Sequence, residues 1–430
     1  MSAPLRIAVA GLGTVGGGLL ALLAANGEAI AARCGRPISV VAVSARDRAK
    51  DRGVDLSGVA WYDDPVAMAE GAACDVVVEL VGGAEGVARR MVEAAIARGR
   101  AVVTANKALL AHSGAALARA AEAKGVVLAY EASVAGGIPV IKTLREGLAG
   151  NQVRRVYGIL NGTCNYILTQ MRRTGRPFAD VLADAQRLGY AEADPGFDID
   201  GIDAAHKLAV LSAVAFGTET DIAGVHVEGI RHVGALDIGF AGELGYRIKL
   251  LGIARMTAHG LEQRVHPCMV PLETPIAHVE DVFNAVVVEG DFVGRVVSEG
   301  RGAGAGPTAS AVVADLMDIA RGRAPMTFGV PASRLVRAKA APMDLHRGAY
   351  YIRLMVRDRP GVIADVTAAL RDQSVSLESM LQRGRSPDEG VPVVLTTHET
   401  EEAAMRRALA RIEALDTVLE APRLIRIEAP

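Results

Sequence analysis

The sequence predicts an α/β chain of three units: an N-terminal doubly wound sheet, a mixed α+β middle, and a C-terminal βαββαβ sandwich. Three observations carry this expectation. An apolar run at the N-terminus ends in closely spaced glycines, strand-like and Ala-rich helical runs then alternate through the first third, and residues 350–430 read strand, helix, strand, strand, helix, strand.

The first run, LRIAVAGLGTVGGGLL, places a strand over Leu5–Ala10 directly before Gly11, Gly13 and Gly16, and an apolar helix after them. This is the strand, turn and helix order of a Rossmann-type dinucleotide site. Gly11 permits the tight turn, Gly13 lets backbone approach a pyrophosphate, and Gly16 lets helix and strand pack closely, so that the segment Gly11, Leu12, Gly13, Thr14, Val15, Gly16 holds the phosphates. Residues 7–27 are uncharged, so a hydropathy window also reads them as a membrane span or signal sequence. Six glycines in that run and its passage into a charged chain weigh against that reading.

The second strand, ISVVAVS, ends in Ser44 and Ala45, where an NAD site usually places an acid for the ribose hydroxyl. Arg46 and Arg48 follow, with Lys50 behind them, and guanidinium groups suit a ribose 2′-phosphate. NADP is therefore expected, with NAD as the alternative through Asp47. The runs CDVVVELVG, RAVVTANK and VVLAYEAS supply further strands, and loops after the C-terminal ends of such strands collect ligands. Asn106 and Lys107 stand after the fifth strand, Glu131 after the sixth.

The dinucleotide unit is expected over residues 1–140, completed by a returning helix at about 305–325 behind the glycine-rich GRGAGAGPTAS. A substrate and dimerisation unit spans 141–304, and a linker spans 326–349. The last unit, 350–430, reads as a separate module.

Composition agrees with a large enzyme. Half of the 430 residues are hydrophobic, enough for more than one core. A net charge of −2 offers no field for nucleic acid or anionic lipid, and aromatics at 4% leave no base-stacking surface. Cys34, Cys74, Cys164 and Cys268 lack CxxC spacing, which argues against structural zinc and disulfides and for a reducing, cytoplasmic setting.

The chemistry concentrates in LGYAEADPGFDIDGIDAAHKL, residues 188–208. It gathers five carboxylates (Glu192, Asp194, Asp198, Asp200, Asp203) and one ammonium, Lys207. Pro195 and Gly196 break the chain, after which Asp203, His206 and Lys207 fall on one face of a helix. An acidic pocket suits a substrate carrying an amino group, and a lysine among carboxylates keeps its proton until a neighbouring oxyanion takes it. A solvated loop followed by an ordinary Asp–Lys helix pair is the plainer reading of the same residues.

In the last unit the turn Asp358-Arg359-Pro360-Gly361, followed by Val362 and Ile363, resembles the ACT domain, a small amino-acid-sensing module that usually pairs with a copy of itself. The glycine fingerprint, TANKALLA (104–111), YEASVAGGIPVI (130–141), GILNGTCNYIL (158–168) and the acidic segment together resemble the long bacterial form of homoserine dehydrogenase that ends in an ACT domain. The resemblance implies reversible NAD(P)H-linked reduction of L-aspartate 4-semialdehyde to L-homoserine, on the route to threonine, methionine and isoleucine. It makes Lys207 the proton donor and puts Lys107 beside nicotinamide and substrate. Glu192 and Asp203 would bind the substrate ammonium, although Asp203 could instead steer Lys207.

The resemblance further implies a monovalent cation, sodium, held by Glu131 and the carbonyls of Val134, Gly136 and Ile138. It sets Gly304 near the cofactor and lets Thr104 line the same cleft. It also implies a homodimer or homotetramer, with threonine the favoured effector. Two other functions compete. A phosphorylating semialdehyde dehydrogenase would use Cys164 as nucleophile, and a non-catalytic sensor would read NADP and an amino acid without turnover.

Overall fold

β1 (Leu5–Ala10) has buried apolar side chains on both faces, as a strand covered by helices on both sides requires. It is followed by α1 (Thr14–Cys34), β2 (Ile38–Ser44), β3 (Ala60–Tyr62), α2 (Pro65–Gly71), β4 (Val76–Glu79), α3 (Val87–Ala97), β5 (Ala101–Thr104), α4 (Lys107–Lys124) and β6 (Leu128–Ala129). The computed structural model describes residues 3–383 and 390–428. The six strands are parallel in the order β3-β2-β1-β4-β5-β6. The winding reverses between β1 and β4, which opens a crevice at the carboxyl ends of these strands. α1 is long and apolar enough to cross a membrane, but here it packs on the sheet alongside a later helix that shares its core.

The middle unit runs through α5 (Val140–Lys142), which continues into a π-helical turn at Thr143–Gly147, then β7 (Val153–Ile159), α6 (Gly162–Thr174), α7 (Phe178–Arg187), α8 (Gly196–Ile199) and α9 (Ile202–Phe216). After these come β8 (His226–Val227), α10 (Ala235–Glu243), β9 (Tyr246–Thr257), β10 (Gly260–Pro271), β11 (Phe283–Gly290), β12 (Gly294–Arg301) and α11 (Ala305–Ala320). α11 is the returning helix and packs along α1. α9 is buried on all sides from Asp203 to Val214. A helix so placed is core, so its few polar side chains are desolvated.

The C-terminal unit comprises β13 (Arg347–Arg357), α12 (Val362–Arg371), β14 (Leu377–Gln382), β15 (Gly390–Thr397), β16 (Thr400–Glu401), α13 (Glu402–Glu413) and β17 (Arg423–Ile427). Its strands lie in the order β17-β13-β15-β14, with Tyr350, Ile352, Leu354 and Val356 facing α12 and α13.

The sheet of this unit is continuous with that of the middle unit. β17 pairs in parallel with β10, Cys268 opposite Arg426, so the two sheets are one: β12-β11-β7-β9-β10-β17-β13-β15-β14. The other face of β13 turns Tyr351 and Arg353 towards Asp237 of α10, at 3.0 and 2.7 Å. A strand edge and a polar face that the sequence left without partners are thereby satisfied within the chain. The stretch read as a linker is strapped down too. Val336 exchanges backbone bonds with Gly217 and Glu219, and Leu261 does so with Lys339 and Ala341.

Candidate functional site

Two clefts open at the carboxyl ends of the parallel strands. The first, of about 680 Å³, is floored by the glycine turn. Gly11 takes a φ of +91°, where any side chain is strained, and a Cβ on Gly16 would come within 2.1 Å of the Gly11 carbonyl. A Cβ on Gly13 would meet nothing, so the face of the turn that a pyrophosphate needs is open, with the N-terminus of α1 behind it. The residues present fit a dinucleotide.

Of the basic residues after β2, Arg46, Lys50 and Arg52 line this cleft, whereas Arg48 stands over the Trp61 ring, 5.7 Å from its centre. Arg52, which sequence reasoning missed, sits over the same ring at 5.6 Å and donates to the carbonyls of Lys50 and Asp47. The Asp47 carboxylate accepts the amides of Ala49 and Lys50, so it closes its own turn.

Thr104 is fully buried and does not face the cleft. Its hydroxyl donates to Glu79 at 2.5 Å and accepts the Asn106 amide at 3.0 Å, while Glu79 also accepts the amides of Val81 and Gly82. Asn106 caps α4 through Leu109 and donates to the Gly83 carbonyl. Glu79 thus ties the loops after β4 and β5 together and aims Lys107. It was missed because an acid at the end of an apolar strand carries no motif.

The second cleft, of about 420 Å³, is lined by Lys107, Asp198, Asp203, Lys207 and, across from them, Gly304. Asp203 joins both lysines, with Lys207 Nζ at 2.7 Å and Lys107 Nζ at 3.1 Å. Lys207 also donates to the Leu160 carbonyl at 2.8 Å. Asn161 donates to Asp203 at 2.9 Å and to Asp198 at 2.8 Å. Burial pushes the Asp203 carboxyl up, but the Lys207 and Lys107 ammoniums outweigh it and hold the group well below the usual carboxylate range. Asp198 is raised, by burial and then by Asp203.

Glu192 does not join this set. It is exposed, whereas Asp198 as well as Asp203 accepts from Asn161. The i,i+4 spacing of Asp203 and Lys207 was legible in the sequence, but the lateral contact to Lys107 depends on α4 and α9 packing together.

Cys164 is fully buried, donates its thiol to the Asp198 carbonyl at 3.2 Å, and has its pKa raised by burial and by Asp198. A nucleophilic cysteine needs the opposite environment.

Glu131 is buried behind the clefts, accepting the amides of Ile141 and Lys142 at 2.9 and 2.8 Å. Burial and Asp315 push its pKa up to about 7 despite those bonds. Ser133 Oγ beside it in sequence is buried without a partner among the described residues. The carbonyl of Ile138 accepts the Val140 amide at 2.7 Å, and Ala135 and Gly136 turn through positive φ. An under-neutralised carboxylate with an orphaned hydroxyl fits a small cation.

Comparison with known proteins gives one answer along the chain. Residues 11–131 match the model of the homoserine dehydrogenase NAD-binding domain, 139–317 that of homoserine dehydrogenase, and 350–416 that of the ACT domain. Homoserine dehydrogenases of Neisseria gonorrhoeae and Pseudomonas aeruginosa are 46% and 45% identical, each alignment covering 99% of both chains. The crystal structure of a homoserine dehydrogenase from Thiobacillus denitrificans is 48% identical, covers 99% of this chain and 98% of its own, and superposes with a TM-score of 0.92. A hyperthermophilic archaeal homoserine dehydrogenase in complex with NADPH is 26% identical, with a TM-score of 0.64, over 76% of this chain and all of that one.

Proposed function

Because the chain belongs to the homoserine dehydrogenase family, we propose that it interconverts L-aspartate 4-semialdehyde and L-homoserine with a nicotinamide cofactor, NADP in preference to NAD. The observation that carries the mechanism is one buried carboxylate, Asp203, gripping two ammoniums at the mouth of a cleft beside the dinucleotide turn. A bound nicotinamide supplies or accepts the hydride. Lys207, two of whose three donors are engaged by Asp203 and Leu160, offers the third to the substrate oxygen and holds the proton that the nascent alkoxide needs. Lys107 adds positive charge on the cofactor side. Asp198 lines the cleft and suits the substrate ammonium.

Arg46, Lys50 and Arg52 support NADP, since they ring the end of β2 where an NAD enzyme needs a free carboxylate. Glu131 with the carbonyls of Val134, Gly136 and Ile138 would hold a monovalent cation such as sodium, whose charge neutralises the buried acid; the Ile138 carbonyl accepts the Val140 amide and keeps a second lone pair. The four unpaired cysteines support a cytoplasmic setting. The ACT domain is read as the seat of a small-molecule effector, with threonine first in line as an end product of the route, and the chain as a homodimer or homotetramer. Purified protein that fails to oxidise homoserine with NADP would end this reading and leave the non-catalytic sensor. Titrating threonine into the full-length enzyme tests the effector, and a flat response removes it.

A further inference from the structure

Outside the cleft, a dense cluster of buried charges lies where β10 meets β17. Arg426 on β17 is nearly buried and divides its guanidinium between two carboxylates. Glu402, the first residue of α13, takes Nε at 2.9 Å and is held in turn by the Tyr350 hydroxyl at 2.9 Å. Glu228, outside the C-terminal unit, takes Nη1 and Nη2 at 3.0 and 2.9 Å and also meets His226 at 2.7 Å.

Residues 228–231 lead from there to the substrate pocket. The Glu228 amide donates to Val265 on β10 at 2.7 Å, and the Ile230 amide donates to the Ile199 carbonyl at 2.9 Å. Between them Gly229 lies so close to α8 that a Cβ would come within 2.3 Å of that carbonyl. Arg231 pairs with Asp200 at the surface. α8 carries Asp198, which Asn161 links to Asp203. Three steps therefore separate a guanidinium in the ACT domain from the acids of the cleft.

We infer that Glu228 and Arg426 are positioning residues for the substrate pocket: the last ACT strand, through one guanidinium shared by two carboxylates, holds the bracket 228–231 against which α8 sets Asp198. The inference rests on the proposed homoserine chemistry, with Asp198 facing the substrate ammonium. A shift of β17 would then be felt as substrate affinity, not as cofactor affinity. Bidentate Arg–carboxylate pairs suit such a link, because their geometry is directional as well as strong.

The test compares Glu228→Ala, Glu228→Gln and Arg426→Lys in the full-length enzyme. The homoserine KM should rise about fivefold or more in Glu228→Ala and in Arg426→Lys, while kcat and the NADP KM stay within about twofold; Glu228→Gln should fall between. The double variant should be no worse than the worse single one, since both break one link. Hydrogen exchange supplies a readout free of activity, with amides of 196–203 exchanging faster in both variants and those of α1 unchanged. An unaltered homoserine KM, a parallel change in all constants, or unaltered exchange at 196–203 overturns the inference. If the wild type does not oxidise homoserine, the functional reading falls and the exchange result alone decides the positioning role. Glu228 is partly exposed and Arg426 keeps Glu402, so Glu228→Ala leaves no buried charge unpaired.

Discussion

Replacing Lys207 by alanine removes the ammonium proposed to give a proton to the product oxygen. Its ammonium has three donors; Asp203 takes one at 2.7 Å, the Leu160 carbonyl another at 2.8 Å, and the third is left for the cleft. A positioned acid contributes roughly 10²- to 10⁴-fold to a proton-coupled step. At about 1.4 kcal/mol per factor of ten, the barrier rises by about 3–5 kcal/mol. Two further groups change partners. The Leu160 carbonyl loses its donor, which costs about 1–3 kcal/mol of folding stability, whereas Asp203 keeps Lys107 and Asn161 and stays charged. The assay is homoserine oxidation at saturating cofactor, with NADP affinity measured separately by fluorescence and folding by thermal melting. We expect kcat to fall about a thousandfold, a modest loss of melting temperature, and an unchanged NADP Kd, because Lys207 does not line the cofactor cleft. A folded variant that retains more than about a tenth of wild-type kcat refutes the assignment. Loss in Lys107→Ala alone would move the donor to the other lysine.

Three further outcomes can be measured. Arg46→Ala and Arg52→Ala should each raise the NADP KM about tenfold or more, as loss of a charge-assisted phosphate contact of about 1.5–3 kcal/mol implies, and leave the NAD KM unchanged; equal effects on both cofactors would contradict a 2′-phosphate site. Glu131, raised from 4.5 to about 7 by burial, favours the folded state at low pH and loses that contribution as pH climbs through about 7, a swing of about 3 kcal/mol. Sodium should therefore raise the melting temperature at pH 8 relative to choline at equal ionic strength, and Glu131→Gln should abolish the difference; sensitivity that survives in that variant places the cation elsewhere. Cys164→Ser should keep homoserine oxidation within a few-fold, since the thiol is enclosed and bonded to a carbonyl, and abolished turnover would favour thiol chemistry instead.

Local spacing made much of this molecule legible. The glycine turn could be read because strand, turn and helix are consecutive and each glycine answers a short-range steric demand. The Asp203–Lys207 pair could be read because four residues make one helical turn, and Asn106–Lys107 because a strand end is followed directly by a helix cap. The βαββαβ order was similarly written in alternating runs.

What the chain order could not express is which distant groups meet. Lys107 reaches Asp203 only because α4 packs on α9, and Glu79 governs the cofactor loops only because β4 and β5 are neighbours. In a stretch of five acids, solvent exposure rather than residue type decided that Asp198 faces the pocket and Glu192 faces water. The joining of β17 to β10 arose in the same way, since any unpaired strand edge seeks hydrogen bonds and the sequence does not say which edge lies within reach. Backbone conformation and helix periodicity are short-range and follow from neighbours along the chain. Electrostatic pairing and edge pairing act through space, and only the folded arrangement assigns their partners.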